Sequence, residues 1–193
     1  MRKYLLVGRS GVGKSSFINS VFGKYIAETA EYEACTKVVA HYAHNSPWGD
    51  VCLIDTPGLA EDDIDCDNNY LKLIREKVDL GQTFATVYIS RLDDTRFRPD
   101  EKRTLSRLTE HLGKGIWNRT ILILTFAASV PSDRRDEAAK QRGEDIRNYL
   151  KQLVTATQFY NFHSCWLIDN FVKKWTDDGL PVSTVFDVKN SCF

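Results

Sequence analysis

No apolar run in this sequence approaches the ~20 residues needed to cross a bilayer, so membrane attachment is expected only through a partner or a missing segment. Charge of one sign is missing too: 26 basic residues balance 26 acidic ones, for a formal net charge of +0. That removes the electrostatic reason to expect nucleic acid or an anionic membrane surface as partner. The five cysteines (Cys35, Cys52, Cys66, Cys165, Cys192) are odd in number and lack C-x-x-C spacing. A disulfide framework or zinc site is therefore not expected; reduced thiols in a cytoplasmic or cytosol-facing compartment are. Cys52 and Cys165 lie in apolar runs and read as core residues. The histidines (His41, His44, His111, His163) show neither metal spacing nor a nucleophile partner. Repeats, low-complexity stretches and linkers are absent, and since MRKYLLVG leads straight into the first apolar run, no signal peptide is expected.

What is present suits one domain over residues 1–193, with 42% hydrophobic residues to fill a core. Apolar runs at Tyr4–Val7, Lys37–Ala43, Val51–Ile54, Phe84–Ile89, Ile121–Leu124 and Cys165–Ile168 alternate with helical patterns. Those patterns cover Lys14–Phe22, about Asn68–Asp79, Asp100–Leu112 and Arg134–Leu153. YLLV and ILIL are apolar without alternation, as in parallel strands covered on both faces. KVVAHYAH alternates and meets a turn at NSPWGD, which predicts one antiparallel edge strand. The expectation is a three-layer α/β/α domain with a mostly parallel six-stranded sheet.

Gly8-Arg9-Ser10-Gly11-Val12-Gly13-Lys14-Ser15 fits G-x-x-x-x-G-K-[ST] between a strand and a helix, the context a phosphate-binding loop requires. Its backbone N–H groups and the helix start, through Ser16, supply positive potential to a phosphate. Lys14 is expected on the β- and γ-phosphates and the Ser15 hydroxyl on Mg²⁺. VCLID-T-P-G then places Asp55 at a strand end to hold Mg²⁺ through water, with the Gly58 N–H set to sense a γ-phosphate. Thr36, in the intervening EYEACTKVV, is a candidate for a Mg²⁺-binding and γ-phosphate-sensing switch. The acidic residues Glu61, Asp62, Asp63 and Asp65 read as a solvated loop after DTPG.

Two parts of the common GTPase pattern are missing. No Asn-Lys-x-Asp follows ILIL; the strand ends in Thr125-Phe126-Ala127-Ala128. No glutamine follows DTPG; Leu59 stands there and can neither orient nor deprotonate water. The residues alone therefore leave three readings open: a slow GTPase, an ATPase on the same scaffold, or a nucleotide-binding module with negligible hydrolysis.

The run YISRLDDTRFRPD…HLGKGIWNRTILILTFAASVPSD resembles the GTPases of the chloroplast outer-envelope import translocon, the Toc GTPases, grouped with the septin-like and immunity-associated GTPases. The resemblance implies the G-domain fold, GTP and GDP as substrate and product, and a carboxylate from a later loop in place of the missing Asp. Asp169-Asn170 in CWLIDN match that loop by type. An ionised carboxylate is acceptor-only and suits guanine's N1–H and N2–H₂ donors. Phe126 stands where the family usually has His and is placed to stack on the purine, with Thr125 shaping its loop. The resemblance further implies a nucleotide-dependent homodimer or heterodimer with a related GTPase. Arg96 would approach the partner's phosphates as an interface or catalytic residue; Arg91 begins the same stretch, and Asp93, Asp94 and Arg98 are weaker candidates. Arg9 supplies a further cation only if it folds back onto the phosphates.

Overall fold

The computed structural model describes residues 1–29, 38–46, 49–59, 64–154, 162–168 and 185–187. Its strands are β1 (Arg2–Val7), β2 (Ala40–Ser46), β3 (Gly49–Asp55), β4 (Thr83–Arg91), β5 (Thr120–Thr125), β6 (Phe162–Ile168) and β7 (Val185–Asp187). Its α-helices are α1 (Lys14–Phe22), α2 (Ile64–Lys77), α3 (Pro99–Leu112) and α4 (Arg135–Leu153). The strands form one sheet in the order β2-β3-β1-β4-β5-β6-β7. β3, β1, β4, β5 and β6 run parallel, and β2 pairs antiparallel with β3. The six strands expected are all there. A seventh, β7, adds antiparallel to β6 at the far edge. Its three residues are too short to carry a periodic signal.

Both faces of the sheet are covered, which explains the unbroken apolar runs. Leu5 and Val7 point into one core layer with Leu71, Ile74, Leu105, Leu108, Ile146 and Leu150, the buried stripes of α2, α3 and α4. Leu6, between them, points into the other layer with Phe17, Ile18 and Phe22 of α1. The period of two along β1 thus feeds two separate cores. Trp117, from the G-K-G-I-W-N motif, is fully buried; its Nε1–H donates to Thr109 Oγ1 at 2.8 Å, and its ring meets Tyr88 edge-on at 5.9 Å. That motif is a core anchor beneath α3. Cys52 is buried, and burial pushes its thiol up. Cys165 lies on β6.

Among the boundaries that differ from expectation are those of β2 and α2. β2 runs Ala40–Ser46, three residues further than read, because the alternating pairing with β3 continues through Asn45↔Asp50 to Ser46↔Gly49. α2 begins at Ile64, a turn early: Asp65 and Asp67 stand in its first turn, where carboxylates complement the positive end of the helix. Asp65 is therefore helical, while Glu61, Asp62 and Asp63 lie outside the described residues. Among the described residues no helix is long and apolar enough to cross a membrane.

Candidate active site

The parallel strands bring their carboxyl ends together along one rim, and the order reverses around β1, which has β3 on one side and β4 on the other. Ligands of open α/β sheets bind at such a point. The loop from Gly8 to Gly13 leaves β1 there and enters α1, whose N-terminus has no side-chain cap and no acid in its first turn. Gly13 takes φ 90° at that helix start, a left-handed conformation costly to any residue with a Cβ.

Lys14 is buried at 6% exposure. Its ammonium donates to the Arg9 carbonyl at 2.9 Å and lies 3.4 Å from that of Gly8, so the side chain arches over its own loop. The Ser15 hydroxyl donates to Asp55 Oδ2 at 2.7 Å, while Asp55 Oδ1 accepts the Thr56 N–H. Ser15 and Asp55 are thus brought together across 40 residues of sequence, as read from the motifs. A hydroxyl and a carboxylate in contact beside a phosphate loop are the hard oxygen donors Mg²⁺ takes. Among the described residues no cluster of three or more His, Cys, Asp or Glu could hold a metal. Mg²⁺ fits a site of this kind because it binds through one or two protein oxygens, water and substrate phosphates.

The DTPG turn packs directly on the phosphate loop. A Cβ on Gly58 would meet Ser10 Cα at 2.4 Å and Ser10 N at 2.6 Å, so only glycine fits. The next residue continues the contact: the Leu59 N–H donates to the Gly8 carbonyl and its own carbonyl accepts the Ser10 N–H at 2.9 Å. The Leu59 side chain is 1% exposed and belongs to the core. It offers no polar atom to a water. Val12 likewise gives its side chain to the core, leaving only backbone to a ligand; Gly11 is exposed at the loop's crest, and Ser16 lies in α1.

Thr125 is fully buried. Its hydroxyl donates to the Val12 carbonyl at 2.8 Å and sits 3.1 Å from the Ser90 carbonyl. The side chain, read as shaping the loop of Phe126, tethers the phosphate loop to the ends of β4 and β5. Thr125→Val keeps the shape and removes the donor, leaving a buried carbonyl short of a partner, a loss of about 1–3 kcal/mol. Urea unfolding should show that loss, together with weaker nucleotide binding; unchanged values would show that the tether is idle.

Phe126 is the one described non-glycine residue with positive φ, at 58°. That left-handed geometry costs a bulky residue on the order of 1–3 kcal/mol. The Arg91 guanidinium lies 3.8 Å from the ring centroid, held in place by Asp93 through bonds of 2.9 and 2.7 Å. Those bonds raise the arginine's already high pKa. A cation over an aromatic face, pinned by its own carboxylate, fixes the ring at the end of β5. Asp93, read as an interface candidate, and Arg91 are thus engaged at the fourth motif.

Arg9 does not fold back onto the phosphate site. Its guanidinium pairs with Asp94 at 2.6 Å and with Asp100. Arg96 is exposed, and among the described residues its guanidinium makes no hydrogen bond or ion pair. Thr36, Asp169 and Asn170 lie outside the described residues.

Reading the sequence missed a buried charge pair under the loop that carries Arg96. Glu101 of α3 and Arg142 of α4, 2% and 4% exposed, pair at 2.7 Å. Glu101 also accepts from Ser90 and Tyr88, and Arg142 reaches the carbonyls of Asp94 and Arg96. Burial, then the neighbouring Glu101 carboxylate, pushes the Tyr88 phenol well up. The signal was available: Glu101 falls in phase with Leu105, Leu108 and Leu112, and Arg142 with Ala139, Ile146 and Leu150. A charged residue on an apolar stripe needs a buried partner.

The geometry agrees with the comparisons. GTP-binding protein A of Dictyostelium discoideum is 33% identical over 162 residues, covering 82% of this chain and 35% of that protein. Translocase of chloroplast 34 of Pisum sativum is 32% identical over 153 residues, covering 76% of this chain and 48% of its own length. The chain thus spans half or less of these curated relatives. Toc33 from Arabidopsis thaliana, solved in complex with GDP and Mg²⁺, superposes with a TM-score of 0.76 over 91% of this chain and 74% of that one, at 23% identity. A second structure, from work on the importance of dimerization for the GTPase activity of the chloroplast translocon components atToc33 and psToc159, gives a TM-score of 0.77 over 93% of this chain and 74% of that one, at 22% identity. The G-domain fold and the resemblance to Toc GTPases are both borne out. The AIG1 family model matches residues 2–163, and the chain belongs to the AIG1 family.

Proposed function

We propose that this chain is a Mg²⁺-dependent GTP-binding domain that hydrolyses GTP slowly to GDP and phosphate and pairs, nucleotide side inward, with itself or a related GTPase. The observation that carries this is the contact of Ser15 Oγ with Asp55 Oδ2 at 2.7 Å beside the arched Lys14. Relatives named for GTP binding and a like fold solved with GDP and Mg²⁺ support it.

Lys14 and the loop N–H groups from Gly11 to Ser15 hold the phosphates, with the Gly58 N–H facing the γ-phosphate. Ser15 and Asp55 hold Mg²⁺, joined by Thr36. The bound ion neutralises charge on the phosphate oxygens. Asp169 and Asn170 read guanine, and Phe126, steadied by Arg91, flanks the base. The domain faces the cytosol and reaches a membrane only through a partner or a further segment.

Slow turnover follows from Leu59. With its side chain in the core, the position offers nothing to orient a water, and of the two phosphate-loop cations only Lys14 is left for the phosphates, since Arg9 is paired elsewhere. A partner's Arg96 is the remedy. Turnover per molecule should therefore rise with protein concentration in the wild type. Arg96→Ala should flatten that rise and weaken dimerisation roughly 30-fold, as loss of a central interface arginine worth about 2 kcal/mol does. A mutant curve that superposes on the wild type would remove Arg96 from the proposal.

A further inference from the structure

Arg9 occupies a junction that the phosphate chemistry does not use. Its guanidinium donates to Asp94 in the 92–98 loop at 2.6 Å and to Asp100 in the first turn of α3. Its carbonyl accepts from the Lys14 ammonium at 2.9 Å. Its backbone bridges to Leu59, directly after DTPG. One residue therefore touches the phosphate lysine, the DTPG strand and the loop that presents Arg96. The pair with Asp94 is no ordinary surface contact: the two side chains are 13% and 14% exposed, against 58% for Arg98, which also approaches Asp94 at 3.5 Å. On its far side the 92–98 loop is held by Arg142, through the carbonyls of Asp94 and Arg96.

We infer that Arg9 is a positioning residue that couples occupancy of the phosphate loop to the conformation of the 92–98 loop, and so to the presentation of Arg96. This deepens the GTPase reading above and rests on it. A phosphate bound in the loop competes for the same ammonium that the Arg9 carbonyl now holds, and it draws on the same run of N–H groups. The peptide of Arg9 is thereby strained or shifted by a ligand that never touches its side chain. A guanidinium forked across two carboxylates is oriented by them far more tightly than a single surface pair, so movement of its backbone reaches Asp94 and Asp100. The same cation also neutralises two carboxylates that would otherwise stand beside a binding site for a polyanion. A P-loop arginine turned away from the phosphates has a reason in both respects.

Hydrogen exchange at a concentration where the protein is monomeric, with and without GDP and Mg²⁺, tests the coupling. Two variants cut the link from opposite ends: Arg9→Met, and Asp94→Asn with Asp100→Asn. In the wild type, nucleotide is expected to change protection both in residues 10–15 and in residues 92–98. At saturating GDP both variants should keep the change in 10–15 and lose the change in 92–98; if one folds poorly, the other still decides. A 92–98 response retained in the variants, or lacking in the wild type while 10–15 is protected, overturns the coupling. No protection of 10–15 in the wild type would instead overturn GTP binding itself, and the coupling with it.

Discussion

Arg142→Met is expected to destabilise the domain by about 3–5 kcal/mol, the cost of leaving a buried carboxylate without its cation. Glu101 is 2% exposed and accepts from Arg142, Ser90 and Tyr88 at once. With Arg142 gone, among the described residues only the Ser90 and Tyr88 hydroxyls remain to face its charge. For a chain of this size the loss corresponds to roughly 6–20 °C in Tm. Glu101→Gln should cost a comparable amount, because it strands the arginine instead. The double variant should lose much less than the sum, since no unpaired charge is left. Urea or thermal unfolding of the three variants measures the cycle. Additive losses would mean that the pair acts only as two separate packing residues. Because Arg142 also holds the Asp94 and Arg96 carbonyls, dimerisation should weaken in the same variants.

Lys14→Met has the opposite signature. The substitution removes a buried ammonium together with its desolvation cost, so the nucleotide-free protein should stay within about 1–2 kcal/mol of wild type. Nucleotide binding should fall by 2–5 kcal/mol, about 30-fold to a few thousand-fold, as for a desolvated charge removed from its partner. A thermal-shift comparison separates the two effects. At GDP about 100-fold above the wild-type Kd, ligand stabilises the wild type by ~2.7 kcal/mol, or roughly 5–10 °C. The variant should keep at most about a third of that shift. An undiminished shift would place the phosphates somewhere other than the loop beneath Lys14.

The parts legible in the sequence are those written in local pattern. α1 runs Lys14–Phe22 as read, because the phosphate-loop motif fixes its start and Gly23 its end. The parallel strands announced themselves through runs buried on both faces. Ser15 and Asp55 were brought together by two motifs whose roles are defined by a shared ion. Contacts between groups 85 and 91 residues apart, such as Arg9 with Asp94 and Asp100, have no local signature. They also reversed a natural inference, since a P-loop arginine looks like a phosphate ligand until its acids are seen. Thr125 was read as shaping the Phe126 loop, but its bonds to the Val12 and Ser90 carbonyls were not foreseen, because a strand pattern does not say which carbonyl a terminal hydroxyl will reach. Asp65 looked like loop because acids at a helix start and acids in a solvated turn read alike.

The central claim is that a guanine nucleotide sits on the loop from Gly8 to Ser15 with Mg²⁺ at Ser15 and Asp55. Competition of GDP, ADP and XDP against a fluorescent guanine nucleotide, with Mg²⁺ and with chelator, tests it most directly. GDP should displace the probe at far lower concentration than ADP or XDP, and chelator should weaken binding. Asp169→Asn should erase the preference for GDP or shift it towards XDP. Equal competition by ADP in the wild type would contradict the account, and the chain would then be a purine-tolerant phosphate-binding domain.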